Sequence, residues 1–289
     1  MSCAYLYFVS EGLLDKIIYP ESSNRKTYEG LIQNGSPHGN GLLLYKNGDI
    51  YSGSFIRGLM DGFGVFTFSR DHPFNASLYT GQFKQGHKHG NGTFMWTDGK
   101  RYVGHFEDGY RSGFGVLYFN KQQQSERYEG NFLKSKLHGK GTLYWRNGDI
   151  YEGSFVNDLI DGFGVFTFSK KNVYGNKKYS GYFKDNQMNG NGTMISNDGY
   201  KYVGMFKNNF RHGFGILYYP KQDLRDRYEG YHEKGFFEGQ GRMYGKDGTF
   251  YVGHFSEDLP NGFGIEYTAQ GSVHMKGMWN NGRLAFAWK

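Results

Sequence analysis

The chain has 289 residues, with 34 Lys and Arg against 27 Asp and Glu, a formal charge of +7 and a mean hydropathy of −0.70. That polarity leaves no 18-residue apolar run for a membrane-crossing helix and argues against a thick aliphatic core, although 19% of the residues are aromatic and 46 are glycine. Cys3 is the only cysteine, which excludes an internal disulfide and a thiolate metal centre and suits a cytosolic chain.

Residues 1–27 carry acids early and lack a basic leader, which argues against a secretory signal. They read as a capping segment, with "AYLYFV" expected to cover the first open sheet edge. From Tyr28 onward the chain repeats itself. "DGFGVFTFS" occupies residues 61–69 and returns at 161–169, and residues 28–69 laid on 128–169 agree at 25 of 42 positions. A chain built from copies calls for the smallest period. Tyr-x-Gly recurs at Tyr28, Tyr51, Tyr79, Tyr102, Tyr128, Tyr151, Tyr179, Tyr202, Tyr228 and Tyr251, on a basic step of 23 residues. Every second copy carries an insertion, so four copies make a block of a hundred residues. Residues 28–273 thus hold ten repeats, and 274–289 ("HMKGMW…") read as a degenerate closing hairpin.

Inside each repeat the order is Tyr-x-Gly-x-Phe, six residues ending in Gly, then x-Gly and an apolar run. Positions i, i+2 and i+4 share one face of a strand, so Tyr, Gly and Phe are expected side by side. "KNGD", "TDGK", "RNGD" and "NDGY" supply positive φ for tight hairpin turns between the strands. Each repeat is therefore one β-hairpin and the whole a meander, a curved ribbon in which repeats contact mainly their neighbours. The polar loops "RDHPFNAS", "KQQQSER", "KKNVYGNKK" and "KQDLRDR" fall after every second hairpin, where a repeat fold tolerates them. Glycine weakens a strand by leaving nothing to pack. On the face of Tyr and Phe it has a use, because a ring can lie flat on bare backbone.

The unit Tyr-x-Gly-x-Phe-x6-Gly-x-Gly resembles the MORN repeat (membrane occupation and recognition nexus) from Tyr28 to about Trp279. The resemblance implies an all-β, elongated, single-layer antiparallel β-meander, curved and twisted, with an aromatic-lined groove. Members of that family include radial-spoke head components of cilia, junctophilins, plant phosphatidylinositol-phosphate kinases, alsin-like exchange factors and apicomplexan cytoskeletal scaffolds. Several carry a catalytic domain beside the repeats; here few residues follow the last copy, and none is expected. Ile32 and His232 stand where the strand's aromatic belongs, and Glu266 and Thr268 replace apolar residues in the last full repeat. The ring positions are most complete in the middle: Tyr51 and Phe55, Tyr79 and Phe83, Tyr102 and Phe106, Tyr128 and Phe132, Tyr151 and Phe155, Tyr179 and Phe183, Tyr202 and Phe206. These are the candidate partner-binding groove, suited to a helix or extended segment of another protein.

Little points to catalysis. His38, His87, His89, His138 and His212 lie in the segment before Gly-x-Gly and read as duplicated turn residues; His87 and His89 form an HxH without a third ligand. No dinucleotide fingerprint, Walker loop or nucleophile elbow occurs, and Asp61 and Asp161 read as turn-formers. No enzyme activity, cofactor or metal is expected. The positive excess gathers on the edge of the turns between hairpins, densest at Lys170, Lys171, Lys177, Lys178, Lys221, Arg225 and Arg227. A peripheral contact of this basic edge with an anionic membrane is the alternative to the groove. Nucleic acid is not expected, since acids are interspersed and no binding motif accompanies the lysines. The resemblance places the chain among cytoplasmic scaffolds associated with the cytoskeleton, with the cilium suspected.

Overall fold

The computed structural model describes residues 5–7, 15–70 and 72–288. Ala4, Phe8 and Val9 of the expected cap lie outside them. The described residues contain strands and turns and no helix. The chain divides into two compact units, Met1–Arg146 and Asn147–Lys289.

Unit 1 is an antiparallel meander of β1 (Tyr5–Tyr7), β2 (Asp15–Ile18), β3 (Arg25–Gln33), β4 (Ser36–Tyr45), β5 (Ile50–Ile56), β6 (Leu59–Thr67), β7 (Ala76–Lys84), β8 (His87–Trp96), β9 (Arg101–Glu107), β10 (Tyr110–Tyr118), β11 (Ser125–Leu133) and β12 (Lys136–Trp145). Each strand pairs with its neighbours in the chain. The strand against β3 is β2, "DKII", with β1 one place further out. Unit 2 repeats the pattern with β13 (Ile150–Val156), β14 (Leu159–Thr167), β15 (Asn176–Lys184), β16 (Gln187–Ser196), β17 (Lys201–Lys207), β18 (Phe210–Tyr218), β19 (Arg225–Glu233), β20 (Phe236–Gly245), β21 (Phe250–Ser256), β22 (Leu259–Tyr267), β23 (Val273–Asn280) and β24 (Arg283–Ala287).

Two glycine positions shape every hairpin, for different reasons. The first Gly of Gly-x-Gly, such as Gly62 at φ 99°, takes a backbone conformation that L-residues avoid. It sits in an irregularity where Gly53 pairs Gly64 but Phe55 pairs Met60, leaving extra residues on β6. The second Gly is needed for space. A Cβ on Gly64 would lie 2.4 Å from the Tyr51 ring, and one on Gly53 would lie 2.5 Å from the Gly64 Cα. These second glycines alternate across the strands of unit 1 with the Gly of Tyr-x-Gly, as in Gly41–Gly53–Gly64–Gly81–Gly92, and each Tyr ring covers one of either kind.

The irregularity leaves a carbonyl without its ladder partner, and the tyrosine supplies one. Tyr51 Oη donates to the Ser54 carbonyl at 3.0 Å, Tyr102 to His105 at 3.0 Å and Tyr179 to Tyr182 at 2.9 Å. The bond recurs at i+3 in all ten repeats, from Tyr28 to Leu31 at 2.8 Å through Tyr251 to His254 at 3.4 Å. Within each unit, a motif Phe wedges edge-on between its own Tyr and that of the preceding repeat. Phe55 meets Tyr51 and Tyr28, both at 5.1 Å, and Phe106 meets Tyr102 and Tyr79, again at 5.1 Å. Such pairs add about 0.5–1.5 kcal/mol beyond burial, so the core of a single layer is a file of rings over bare backbone.

The tight turns sit elsewhere than the Asn-Gly and Asp-Gly pairs suggest. Two-residue turns with both φ positive join the strands within a repeat, as at Arg57–Gly58 and Asn157–Asp158. "KNGD" forms a wider loop in which Gly48 has positive φ, and Asp49 accepts from the Ser69 amide at 2.7 Å, as Asp149 does from Ser169. Asp61 and Asp161 are likewise strand residues and not turn residues. Asp61 accepts from the Gln85 amide at 3.1 Å, and Asp161 pairs Lys184 at 2.7 Å.

Candidate functional site

The residues expected to line a groove are the core itself. Tyr51, Tyr79, Tyr102, Tyr128, Tyr151, Tyr179 and Tyr202 are at most 2% exposed. Phe55, Phe83, Phe106, Phe132, Phe155, Phe183 and Phe206 are also buried. Burial raises the tyrosine pKa values, to about 12 at Tyr102, Tyr151 and Tyr202, so the phenols stay protonated donors. A partner meets what lies over and beside them. Strand period places the right face, but it cannot tell a ring that fills that face from one presented on it.

In unit 1 the tyrosine face presents aromatic and cationic side chains together. Along the strands beyond the tyrosine row stand Tyr45, Phe68, Trp96, Phe119 and Trp145, none fully buried. On the other side of the glycine row, opposite Phe83 and Phe106, stand Lys88 and Arg111. Lys88 Nζ lies 5.2 Å from the Phe94 ring and 6.0 Å from Tyr79, with burial lowering its pKa. Trp96 packs on Phe94 at 4.5 Å and has Lys100 Nζ at 4.4 Å and the Arg111 guanidinium at 5.8 Å. Arg111 also donates to the Ser135 carbonyl. A cavity of about 180 Å³ opens beside Lys88, walled by Met60, Phe66, Phe68 and Phe83.

Unit 2 holds Met188, Ser196 and Tyr200 a hundred residues after Lys88, Trp96 and Lys100. With Ser in place of Trp the wall recedes. A cavity of about 420 Å³ forms, lined by Met188, Met194, Tyr200, Phe210, Arg211 and Leu217. Arg211, at the place of Arg111, donates to the Gly235 carbonyl and lies 5.8 Å from the Tyr202 ring; burial lowers its pKa.

The opposite face holds a feature that the sequence reading missed. The x of Gly-x-Gly points away from the tyrosines and is Phe at Phe63, Phe114, Phe163, Phe214 and Phe263, all 41–63% exposed. In unit 2 Tyr182, Met205 and Tyr231 are exposed there as well, whereas unit 1 has Gln82, His105 and Asn131. Phe163 and Tyr182 meet edge-on at 5.6 Å, and Phe214 and Tyr231 at 5.9 Å. The signal was present as "GFG" in every second repeat, where the two-residue period puts Phe on the other side.

The basic edge divides. Lys170, Lys171, Lys177, Lys178 and Lys221 are exposed. Arg225 is held by Asp223 at 3.0 and 2.9 Å and lies 4.1 Å from the Tyr219 ring. Arg227 pairs Asp226 at 2.7 Å and Glu229 at 2.6 Å and stacks 3.7 Å from Tyr244. Both arginines are neutralised by their own neighbours. Among the described residues no group of three or more His, Cys, Asp or Glu is placed to hold a metal ion; His89 Nδ1 lies 4.0 Å from Asp108, and His87 is exposed beside the Lys88 cavity.

Comparison with known proteins fits this architecture. The MORN repeat model matches ten successive segments, at residues 28–50, 51–70, 79–101, 102–124, 128–150, 151–173, 179–199, 202–224, 228–250 and 251–273. The chain belongs to the MORN-repeat family. Among similar proteins, Alsin of Rattus norvegicus and of Homo sapiens are each 35% identical over 99 residues, 34% of this chain and 6% of theirs. The ALS2 C-terminal-like protein of Homo sapiens is 33% identical over 115 residues, 40% of this chain and 11% of its own. The MORN chain thus spans only a small part of the relatives it matches. Among solved structures, the TCP10 domain of Danio rerio CPAP (E1021V mutant) aligns at TM-score 0.26 and 11% identity, over 91% of this chain and 99% of that one. The SAS-4 TCP domain of Drosophila melanogaster, in complex with a proline-rich motif of Ana2, aligns at TM-score 0.24 and 16% identity, over 65% and 84%. Likeness at that level carries nothing about function.

Proposed function

We propose that this MORN array is a non-enzymatic scaffold whose tyrosine face receives a segment of a partner protein and helps to assemble or anchor a cytoskeletal complex. The observation that carries the reading is the cavity of about 420 Å³ in unit 2, where Met188, Met194, Phe210 and Leu217 offer apolar walls over an otherwise closed ring core. An apolar cavity with one convergent cation takes a side chain well. The cytoskeletal, and specifically ciliary, placement follows other MORN scaffolds by analogy. The membrane alternative retains five exposed lysines, Lys170, Lys171, Lys177, Lys178 and Lys221, on loops of unequal length.

Because the motif rings are buried, Tyr102→Ala or Phe106→Ala would test the fold and not the surface. Met188→Ala with Phe210→Ala alters the cavity wall and leaves the ring file intact. Affinity purification with quantitative mass spectrometry should show the double variant losing one defined set of partners while Lys170, Lys171, Lys177 and Lys178→Gln keeps it. The reverse ranking, with the lysine variant failing to sediment with anionic vesicles and the cavity variant unaffected, would refute the scaffold reading.

A further inference from the structure

We propose that the tyrosine face of unit 1 selects an acidic–apolar peptide segment, with carboxylates meeting Lys88, Lys100 and Arg111 and apolar side chains lying against Phe68, Phe94 and Trp96. This deepens the scaffold reading above and rests on it.

Three observations converge. Lys88 is a cation drawn among rings: its ammonium has Phe94 and Tyr79 nearby and, among the described residues, makes no hydrogen bond or ion pair. A desolvated charge without a counter-ion costs free energy that a partner carboxylate recovers on binding. Second, the cations are grouped. Lys100 and Arg111 flank the same Trp96 ring at 4.4 and 5.8 Å, and each other's charge is felt, since Arg111 adds to the burial that lowers the Lys100 pKa. The nearby acid, Asp98, accepts from the Lys100 amide at 2.9 Å and Asn120 Nδ2 at 2.8 Å, and its charge offsets only part of what burial and Arg111 do to Lys100. Third, the cations alternate with apolar wall, since the cavity beside Lys88 is lined by Met60, Phe66, Phe68 and Phe83.

The geometry favours a peptide over a membrane. Lys88 and Arg111 stand on β8 and β10 with β9 between them, about 10 Å apart at the usual strand spacing. A segment lying across the strands matches that step with carboxylates on one face at i and i+3 if it is a polyproline II helix, or at i and i+7 if it is an α-helix, each spanning about 10 Å. A headgroup layer meets exposed loop lysines first, and cannot reach an ammonium recessed among phenylalanines without inserting the strand face.

A phage-displayed library of random 16-residue peptides panned against the intact protein tests this, with palmitoyl-oleoyl phosphatidylcholine vesicles containing phosphatidylserine as a second probe. Enriched peptides should combine Asp or Glu at spacings of three or seven with apolar residues. A synthesised winner should bind the Lys88→Met, Lys100→Met, Arg111→Met triple variant at least tenfold more weakly. Its Glu→Gln analogue should lose the same factor on the wild type and nothing further on the triple variant. Met keeps the straight stem, and thermal unfolding confirms that the variant folds. Winners without acidic enrichment that still lose affinity on Trp96→Ala would overturn the charge assignment and leave the scaffold reading standing. Winners indifferent to Trp96→Ala, or a library yielding none, would overturn both. Charge-dependent binding to the vesicles alone would give the cluster to a lipid surface and refute the proposal.

Discussion

Units 1 and 2 share a frame and differ at a few positions laid on it. A Cβ added at Gly64 or at Gly164 would lie the same 2.4 Å from the Tyr51 or Tyr151 ring, and the two phenols donate to the Ser54 and Ser154 carbonyls at 3.0 and 3.1 Å. Above that frame, unit 1 has Lys88, Trp96 and Lys100 where unit 2 has Met188, Ser196 and Tyr200. Below it, Gln82, His105 and Asn131 face Tyr182, Met205 and Tyr231 as their counterparts. A duplicated hairpin array therefore separates two jobs. Tyr, Gly and Phe hold the layer together and leave almost no latitude, while the residues between them set what each unit presents. Specificity resides in the positions that the repeat motif writes as x.

The frame can be broken most severely at its second glycine. A Cβ at Gly164 would lie 2.4 Å from the Tyr151 ring, and that ring is fixed by its hydrogen bond and by Phe155 at 5.3 Å. Gly164→Ala and Gly64→Ala should each destabilise their unit by about 3 kcal/mol or more, at the upper end of overpacking costs. Hydrogen–deuterium exchange would report the loss as raised exchange in the hairpins on either side. If the two substitutions differ by more than about 1 kcal/mol, the frames are not equivalent. Gly99→Ala, on a loop with φ 85° and nothing within 4 Å of the added Cβ, should cost less, because it strains only the backbone while Gly64 and Gly164 lack room for the side chain.

The ring file departs from Phe at Ile32 and at His232, and pH should reveal the second. Phe132 of unit 1 corresponds to His232 of unit 2, which is 3% exposed between Tyr202 and Tyr228. Its Nδ1 lies 3.2 Å from the Gly230 carbonyl, while Nε2 faces the Gly213 backbone without a well-formed hydrogen bond. Burial first, and then the Arg211 charge, lower its pKa to about 4. The unfolded chain, with an ordinary histidine near 6.5, binds the extra proton between those values. Stability is therefore full above about pH 6.5 and falls as the pH drops towards 4, by on the order of 3 kcal/mol. His232→Phe should remove that slope and raise the denaturation midpoint. A slope unchanged in the variant would assign the acid sensitivity to another group.

How much of this was legible follows from what period and composition can carry. Tyr-x-Gly-x-Phe fixed the strands, the hairpins and the face on which rings and glycines meet, because a two-residue alternation leaves no other placement. His232 was visible as a departure for the same reason. Exposure was not legible. Tyr102 as a core ring and Tyr102 as a groove ring have the same spacing, and only the irregularity at Gly113, which brings the His105 carbonyl within 3.0 Å of the phenol, decides between them. Arg225 and Arg227 counted as positive charge in the sequence, yet Asp223, Asp226 and Glu229 neutralise them across one or two residues.

A milder break of the frame removes the phenol alone. Tyr102→Phe keeps the ring over Gly104 and Gly115 but strands the His105 carbonyl, at a cost of about 1 kcal/mol in a denaturant titration. Tyr202→Phe should cost the same through Met205, which receives the equivalent bond at 3.0 Å. Agreement between the two would confirm that units differing on their faces weigh this bond alike, and a negligible loss in either would show that water reaches the carbonyl.

The smallest expected effect separates presentation from packing on the opposite face. Tyr231 is 54% exposed, with Phe214 as its ring neighbour at 5.9 Å, and unit 1 has Asn131 in its place. If unit 2 merely displays this ring, Tyr231→Asn should change stability by no more than about 0.5 kcal/mol, as surface substitutions usually do. The converse Asn131→Tyr should be equally silent, since its neighbour Phe114 is 63% exposed and leaves room for a second ring. Paired denaturation curves of the two variants decide the matter. A loss beyond about 1.5 kcal/mol for Tyr231→Asn would mean that the Phe214–Tyr231 pair clamps β18 to β19 as a structural contact. The apolar character of this face in unit 2 would then be part of the frame, and the division between a fixed motif and free x positions would fail at that hairpin.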